Sequence, residues 1–306
     1  MGIVRRKIGS VFRWLGYRKL LNWLDDESYL RLKMWSFTGR LPDFDDARTF
    51  NDKLQWLKLH DRNPLYNTLV DKYRVKPWVA ERVGSECVPE TYAAWERPED
   101  VDIAGLPERF VLKTNHDCGG VAVCSDRRKF DPEAAKKKLA KHLRTNYYWG
   151  GREWPYKDVK PLVFAEEYIE PEDPGEGLVD YKFFCFGGKA DCVMACVGRA
   201  SGKPRFYFLD RGWEVRRYNA SSLSLPEGFS LPKPDGADGM FEIAERLSEG
   251  IPFVRVDLYD AGGRVLFGEM TLYPQSGFDN NILPEADERW GKMIDLDAVK
   301  AERFGG

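Results

Sequence analysis

Two carboxylates, an arginine and a hydroxyl recur at two-residue spacing late in the chain: Arg255 and Asp257 in Phe253-Val254-Arg255-Val256-Asp257-Leu258-Tyr259, then Glu269 and Thr271 in Arg264-Val265-Leu266-Phe267-Gly268-Glu269-Met270-Thr271-Leu272. The apolar–polar alternation around Asp260-Ala261-Gly262-Gly263 predicts a β-hairpin. With Ala261 to Gly263 as a three-residue loop, Asp260 faces Arg264 and even positions pair with even. Val254, Val256, Leu258, Leu266, Met270 and Leu272 then form one apolar face, and Arg255, Asp257, Glu269 and Thr271 lie on the other. In that register Arg255 stands opposite Glu269. Charges on such a face need counter-charges or a metal, which leaves two chemistries open. One is a structural Arg255–Glu269 ion pair. The other is a divalent-cation site, with Asp257 and Glu269 as hard oxygen ligands for magnesium and Arg255 aimed at a phosphate.

Further residues fit the second reading. Lys113 ends the predicted strand Phe110-Val111-Leu112-Lys113 just before the polar loop Thr114 to Gly120, so its ammonium and the loop amides can both meet phosphate oxygens. Lys72 in Val70-Asp71-Lys72-Tyr73 is another candidate phosphate ligand. Arg199, Lys203 and Arg205 form a basic loop suited to a triphosphate or an acidic substrate, or to an ordinary solvated turn. Tyr147, Tyr148, Trp149, Trp154 and Tyr156 offer ring faces for sugars or for packing. Ser276-Gly277-Phe278 with Asp279 to Asn281 is a candidate acceptor pocket.

Other chemistries have little support. The only histidines are His60, His116 and His142, and there is no G-x-S-x-G elbow, so triad hydrolysis lacks its parts. The six cysteines form no C-x-x-C pair and read as reduced thiols; His116, Cys118 and Cys124 fit no common zinc spacing.

The elements that must position these groups are mixed. The 306 residues are 43% hydrophobic and 31% charged, a globular composition for one large or two smaller domains. A net charge of -2 argues against a dedicated nucleic-acid binder. No run reaches the ~18 apolar residues of a membrane span, and the start lacks a signal-peptide pattern, so a cytoplasmic location is expected. Residues 1–24 carry only positive charges (Arg5, Arg6, Lys7, Arg13, Arg18, Lys19) among Ile3, Val4, Ile8, Val11, Phe12, Trp14, Leu15, Leu20 and Leu21. That basic amphipathic stretch suits either a surface helix packed on the protein or peripheral contact with an anionic membrane face.

Helices are expected within 25–60, with Asn51 capping one of them, and at 69–83, 132–144 and 240–248. Strands are expected at 110–113, 121–124, 161–165, 181–186, 192–197 and 205–209. The fold class is α+β, divided into a helical extension (1–60), a nucleotide-binding part (61–170) and a C-terminal part with the metal site (171–306).

The chain resembles the ATP-grasp superfamily and within it the TupA-like family of teichuronopeptide biosynthesis. The resemblance lies in ordered segments: Phe50 to Lys58, Val70 to Tyr73, Phe110 to His116, Ala165 to Ile169, Asp180 to Phe184, Pro252 to Tyr259 and Phe267 to Pro274. It implies an ATP-grasp fold, two α+β subdomains with ATP between them. Lys72 and Lys113 would contact ATP, with Asn115, His116, Gly119 and Gly120 in a loop over its phosphates. Glu166, Glu167, Tyr168 and Ile169 would form the adenine connector, and Asp180 would lie at the ribose; Lys182, Lys203 and Arg205 are further cofactor-binding candidates. Arg255 and Lys113 would serve the chemistry, and Asp257, Glu269 and Thr271 would hold Mg²⁺. Many ATP-grasp ligases carry Asn where this chain has Thr271, which weakens the expected metal affinity.

The activity implied is a carboxylate–amine ligase acting through an acyl phosphate, adding an amino acid to a cell-surface polysaccharide or its precursor. The alternatives are a sugar kinase, a nucleotide-sugar glycosyltransferase, or a non-catalytic nucleotide-binding protein.

Overall fold

The computed structural model describes residues 2–304, and for 2–7, 13, 17 and 304 the backbone alone. In chain order the helices are α1 (Gly2–Tyr17), α2 (Asp26–Thr38), α3 (Phe50–His60), α4 (Leu65–Leu69), α5 (Val75–Val83), α6 (Pro132–Leu143), α7 (Tyr148–Gly151), α8 (Ala237–Ser248), α9 (Pro284–Met293) and α10 (Leu296–Phe304). The strands are β1 (Thr91–Trp95), β2 (Phe110–Thr114), β3 (Val121–Cys124), β4 (Val163–Glu167), β5 (Asp180–Phe186), β6 (Lys189–Val197), β7 (Arg205–Leu209), β8 (Val215–Arg216), β9 (Phe253–Ala261) and β10 (Arg264–Thr271). They build two antiparallel sheets, β1-β4-β2-β3 and β10-β9-β5-β6-β7-β8. The class is α+β, as the sequence implied.

Each sheet has its own core. Phe110, Leu112, Val163, Ala165 and Leu139 of α6 fill the smaller one. The larger is built on both faces of the second sheet, because successive side chains on a strand point opposite ways. On one face Phe183 meets Phe241 of α8 edge-on, with ring centroids 4.9 Å apart. On the other, Phe184 stacks on Trp290 of α9 at 4.9 Å, and Phe253 meets Phe50 of α3 at 4.7 Å. Leu30 and Met34 of α2, Leu54 and Leu57 of α3, and Val75 and Val79 of α5 join this same core. Helices α3 and α9 therefore cover the face of the sheet that bears Lys182 and Phe184, directly paired with Asp257 and Arg255, while α5 packs against α8.

Three local expectations are corrected. The helix expected over 69–83 is broken, because Asp71 Oδ1 accepts the N–H groups of Tyr73 and Arg74 (both 3.0 Å) and turns the chain, leaving Lys72 between α4 and α5. The cap of α3 is Thr49, whose hydroxyl accepts from Asp52 N; Asn51 is buried and instead donates to Asp287 Oδ1 (3.0 Å) and Asp279 O (3.2 Å). The hairpin loop has two residues, with Gly262 (φ 63°) and Gly263 (φ 86°) left-handed, so Ala261 rather than Asp260 pairs with Arg264.

A bulge at Gly268 then shifts the hairpin register. Beyond it Glu269 pairs with Asp257 and Thr271 with Arg255, so the four polar residues do share one face, although Arg255 is not directly opposite Glu269. Gly268 has no room for a Cβ, which would lie 3.0 Å from both Asp257 O and the Tyr259 ring. Of the expected apolar face, Val254, Val256, Leu258, Met270 and Leu272 are buried on one side; Leu266 is buried but pairs with Tyr259 on the other side, and Phe267, paired with Leu258, takes its place because the two-residue loop shifts the register before the bulge.

Candidate active site

The register places Lys182, Asp257 and Glu269 in a row across three neighbouring strands, β5, β9 and β10. Asp257, 1% exposed, receives both Arg255 Nε (to Oδ1, 2.6 Å) and Arg255 Nη2 (to Oδ2, 2.7 Å), and Lys182 binds it from the other side. Arg255 also reaches Glu269 Oε1 (3.2 Å) and Thr271 Oγ1 (3.0 Å), and Lys72 Nζ lies 3.2 Å from Glu269 Oε2. Asp180 accepts from Arg199 and lies 3.7 Å from Lys182 Nζ. Four cations (Lys72, Lys182, Arg199, Arg255) thus interleave with three carboxylates (Asp180, Asp257, Glu269).

The charge states follow from burial against these partners. Burial alone would raise the Glu269 carboxyl, but Lys72, Arg255 and Lys182 reverse that and hold it well below the usual carboxylate range. Burial raises Asp257 against the pull of Arg255 and Lys182. Burial pulls Lys72 down, and Glu269 more than restores it.

Lys72, Arg255, Glu269 and Thr271 open onto a cavity of about 380 Å³ whose far wall is Lys33, Phe37, Glu153, Tyr147, Tyr156, Tyr273, Ser276 and Phe278. Phe37 stacks on Phe278 at 5.9 Å, and Lys33 Nζ lies 4.8 Å from the Phe278 ring centroid. Glu153 is buried and accepts from Ser276 Oγ; burial raises its carboxyl, opposed by Lys58 and Lys33. Beneath it Lys58, fully buried, donates to Gln55 Oε1 (3.0 Å), Gly151 O (2.8 Å) and Ser276 O (2.7 Å). Burial brings Lys58 down to about 7 and Lys33 to about 8. Gln275 and Ser276 both sit at positive φ (49° and 53°), a strained backbone for residues with a Cβ. Of the expected acceptor residues, Ser276, Phe278, Asp279 and Asn280 border this cavity.

A second basic group lies on the first sheet. Glu166 is buried between Lys113 and Lys76, whose Nζ is 2.8 Å from Oε2. Burial raises Glu166, but the two lysines together bring it below its ordinary value. Lys113 belongs to this cluster and does not line the 380 Å³ cavity.

Other expected residues are placed differently. Asn115 is buried and spent within the protein: its Nδ2 donates to Asp71 Oδ2 (2.9 Å) and its Oδ1 accepts from Leu162 N (2.9 Å). His116 Nε2 bonds Thr145 O at 2.9 Å. Neither side chain faces the cleft, because the turn after β2 packs them inward. The loop contributes Asp117 and Cys118 to the cavity instead, and Lys72 Nζ donates to Asp117 O (2.7 Å). Gly119 is left-handed at φ 95°, and a Cβ on Gly120 would fall 1.8 Å from Thr114 Oγ1.

Glu166 and Glu167 end β4 rather than beginning the connector; Glu167 is tied to Arg264 (2.6 Å), leaving Tyr168, stacked under Arg109, and Ile169 beyond the strand. Lys203 and Arg205 are exposed and away from the cavity, with Arg205 paired to Glu176 (3.3 Å); Arg199 is the member of that loop that reaches the site.

The residues that sequence reasoning missed are Lys76, Lys33, Lys58 and Glu153. A signal existed for Lys76, four residues after Lys72 in a helical stretch. The other three have no local signature.

A two-carboxylate face with an adjacent hydroxyl fits Mg²⁺, which is held through one or two carboxylates, waters and substrate phosphates. Among the described residues no group of three or more His, Cys, Asp or Glu side chains forms a denser metal cage.

Residues 52–295 match the family described as TupA-like ATPgrasp, which is most of the chain. The protein belongs to that family. Its two antiparallel sheets with the polar hairpin are accordingly an ATP-grasp fold, whose ligases use ATP. No curated protein matches. Solved structures are more distant: the D-cycloserine synthetase DcsG is 16% identical at TM-score 0.46, covering 78% of this chain and 72% of that one. The D-alanine–D-alanine ligase from Helicobacter pylori is 13% identical at TM-score 0.45, covering 83% and 69%, and that from Bacillus anthracis complexed with ATP is 15% identical at 0.43, covering 92% and 76%.

Proposed function

We propose that this ATP-grasp protein is an ATP- and Mg²⁺-dependent carboxylate–amine ligase. The observation that carries the reading is the placement of Lys72, Arg255 and Glu269 on one cavity, with Asp257 beside Glu269 on the neighbouring strand.

A substrate carboxylate oxygen attacks the γ-phosphorus of ATP, the bond to the β-phosphate oxygen breaks and ADP leaves. The resulting acyl phosphate is attacked by an amine; the amide forms, inorganic phosphate departs and the amine loses a proton. Asp257, Glu269 and Thr271 would hold Mg²⁺, which would neutralise phosphate charge. Lys72 and Arg255 move from their carboxylate partners onto the phosphoryl oxygens, where charge spreads in the transition state. Lys113, with Lys76 holding Glu166, serves the nucleotide from the first sheet. Asp180 and Lys182 lie at the sugar of the nucleotide.

The acceptor side is the wall of Phe37, Tyr147, Tyr156, Tyr273 and Phe278 with Lys33. Aromatic faces beside a cation suit a sugar acid, which supports a uronic-acid-bearing cell-surface polysaccharide or its precursor as the carboxylate and an amino acid as the amine. Enclosure by these rings keeps water from the acyl phosphate.

The test is ADP release across a panel of amino acids with uronic-acid acceptors, with mass spectrometry of the products. An amide together with inorganic phosphate is expected. A phosphorylated sugar without phosphate release would make the protein a kinase instead.

A further inference from the structure

The sequence singles out one feature that the ligase reading leaves unused, the basic amphipathic start. Residues 1–24 hold six of the chain's 47 basic residues and none of its 49 acidic ones, so a protein with net charge -2 concentrates positive charge at one end. The side chains of Arg5, Arg6, Lys7 and Arg13 lie outside the described ones; those that are described show what this segment buries and what it leaves out.

The inner side of α1 is accounted for. Phe12 packs on Tyr29 of α2 at 5.6 Å, Leu15 joins the main core, and a Cβ on Gly16 would come within 3.1 Å of Tyr29 Oη. The end of α1 is fixed by Lys19, left-handed at φ 61°, with Leu20 N donating to Leu15 O (3.0 Å) and Lys19 N to Gly16 O (2.9 Å). The following turn is clamped from below, where buried Arg152 donates to Leu21 O (3.1 Å) and Leu24 O (3.2 Å). The segment is thus seated on the body through one side.

The outer side is apolar. Ile8, Val11 and Trp14, three residues apart on α1, are 51%, 57% and 54% exposed, and past the turn Leu20 and Trp23 are 54% and 78% exposed. Arg18 and Lys19 are exposed among them, and Arg18 lies over the Trp14 ring at 5.5 Å. Exposed tryptophans and aliphatics interleaved with cations, with no acidic residue, match a surface that is apolar beneath a negatively charged layer. A protein partner groove would complement the apolar strip but gives no reason for the uniform charge.

We propose that α1 and the turn to Trp23 dock this protein on an anionic lipid surface, with Val11, Trp14, Leu20 and Trp23 entering the headgroup boundary and the basic residues meeting lipid phosphates. No helix of the described chain is long and apolar enough to cross a membrane, so the contact is peripheral. The inference stands whether or not the ligase reading does, since it uses none of the cavity residues.

The test is sedimentation of the full chain with vesicles of phosphatidylglycerol and phosphatidylcholine, against vesicles of phosphatidylcholine alone. Binding to the anionic vesicles only, weakening with added salt, is expected. Arg18→Gln with Lys19→Gly, where glycine suits the left-handed backbone, should weaken binding on the order of tenfold. Val11→Glu with Trp14→Glu should abolish it. Circular dichroism melting checks that both variants stay folded; as all four positions are solvent-exposed, little change is expected there. Equal binding to neutral vesicles, no binding to either, or undiminished binding by the folded variants overturns the proposal.

Discussion

Arg255 and Asp257 stand two residues apart on one strand, and the arginine closes back on its neighbour with two hydrogen bonds of 2.6 and 2.7 Å. The carboxylate that would hold a metal is thereby neutralised by the arginine that would hold a phosphate. Each is kept charged and in place until a ligand of the opposite sign replaces the other. Removing the arginine leaves Asp257 to Lys182 and Glu269 to Lys72, so Arg255→Met loses hydrogen bonds to charged groups without orphaning a charge and should cost about 1–3 kcal/mol in urea unfolding. Asp257→Asn added to Arg255→Met should cost much less than the sum of the two single changes.

Asp257 and Glu269, paired across β9 and β10, set a catalytic expectation. Asp257→Asn and Glu269→Gln should each lower Mg²⁺-dependent ATP turnover by at least about 100-fold, as loss of a group acting on the transferring phosphoryl does. Turnover should be recovered in part by raising Mg²⁺. Steady-state rates across a magnesium titration check this, and unchanged magnesium dependence would remove these residues from the metal site.

Glu269 also predicts an acid limb. Its carboxyl titrates well below the ordinary glutamate range in the folded protein, and near that range when unfolded. Below about pH 4.5 the unfolded chain therefore binds a proton that the folded one does not, and stability falls as pH falls. Its contribution is complete above that range. Glu269→Gln should flatten the dependence of unfolding free energy on pH between about 3 and 4.5, measured by urea titration at each pH.

The bulge at Gly268 is what aligns Glu269 with Asp257. Gly268→Ala brings a Cβ to 3.0 Å from Asp257 O, so the strand backbone must shift slightly to admit it. The expected loss is about 1–3 kcal/mol of stability, with a weaker magnesium response than the stability loss alone explains. Thermal melts with and without Mg²⁺–ATP measure both.

Lys58 makes a contrasting case. Its ammonium is buried with three acceptors and lies under Glu153, outside the residues that line the cavity. Lys58→Met leaves those acceptors unpaired and should destabilise by roughly 3 kcal/mol, with ATP affinity measured by calorimetry on the folded fraction largely retained.

How much of this was readable in advance differs from residue to residue. The polar face of Arg255, Asp257, Glu269 and Thr271 was legible because alternation along a strand is a local property, and the ordered segments from Phe50 to Pro274 carried the family. The route to that face differs: a three-residue loop is expected, whereas two left-handed glycines and a bulge put the four polar residues on one face with Glu269 opposite Asp257 rather than Arg255. An isolated glycine inside a strand pattern was the available clue.

Asn115 and His116 looked like ligands by position, yet their side chains satisfy buried backbone and Asp71, a demand that arises only once Asp71, Lys160 and Leu162 converge. Lys33, Lys58 and Glu153 were invisible for the converse reason. Lys33 and Lys58 stand about 90 residues or more before Glu153, and all three still further from Ser276, and each has an ordinary local context until α2 and α3 pack on the second sheet. The sequence by itself determined the alternation of the hairpin, the mixed α+β class and the charges available. Tertiary packing decided which of those charges meet, because burial and pairing depend on neighbours far along the chain that no local pattern encodes.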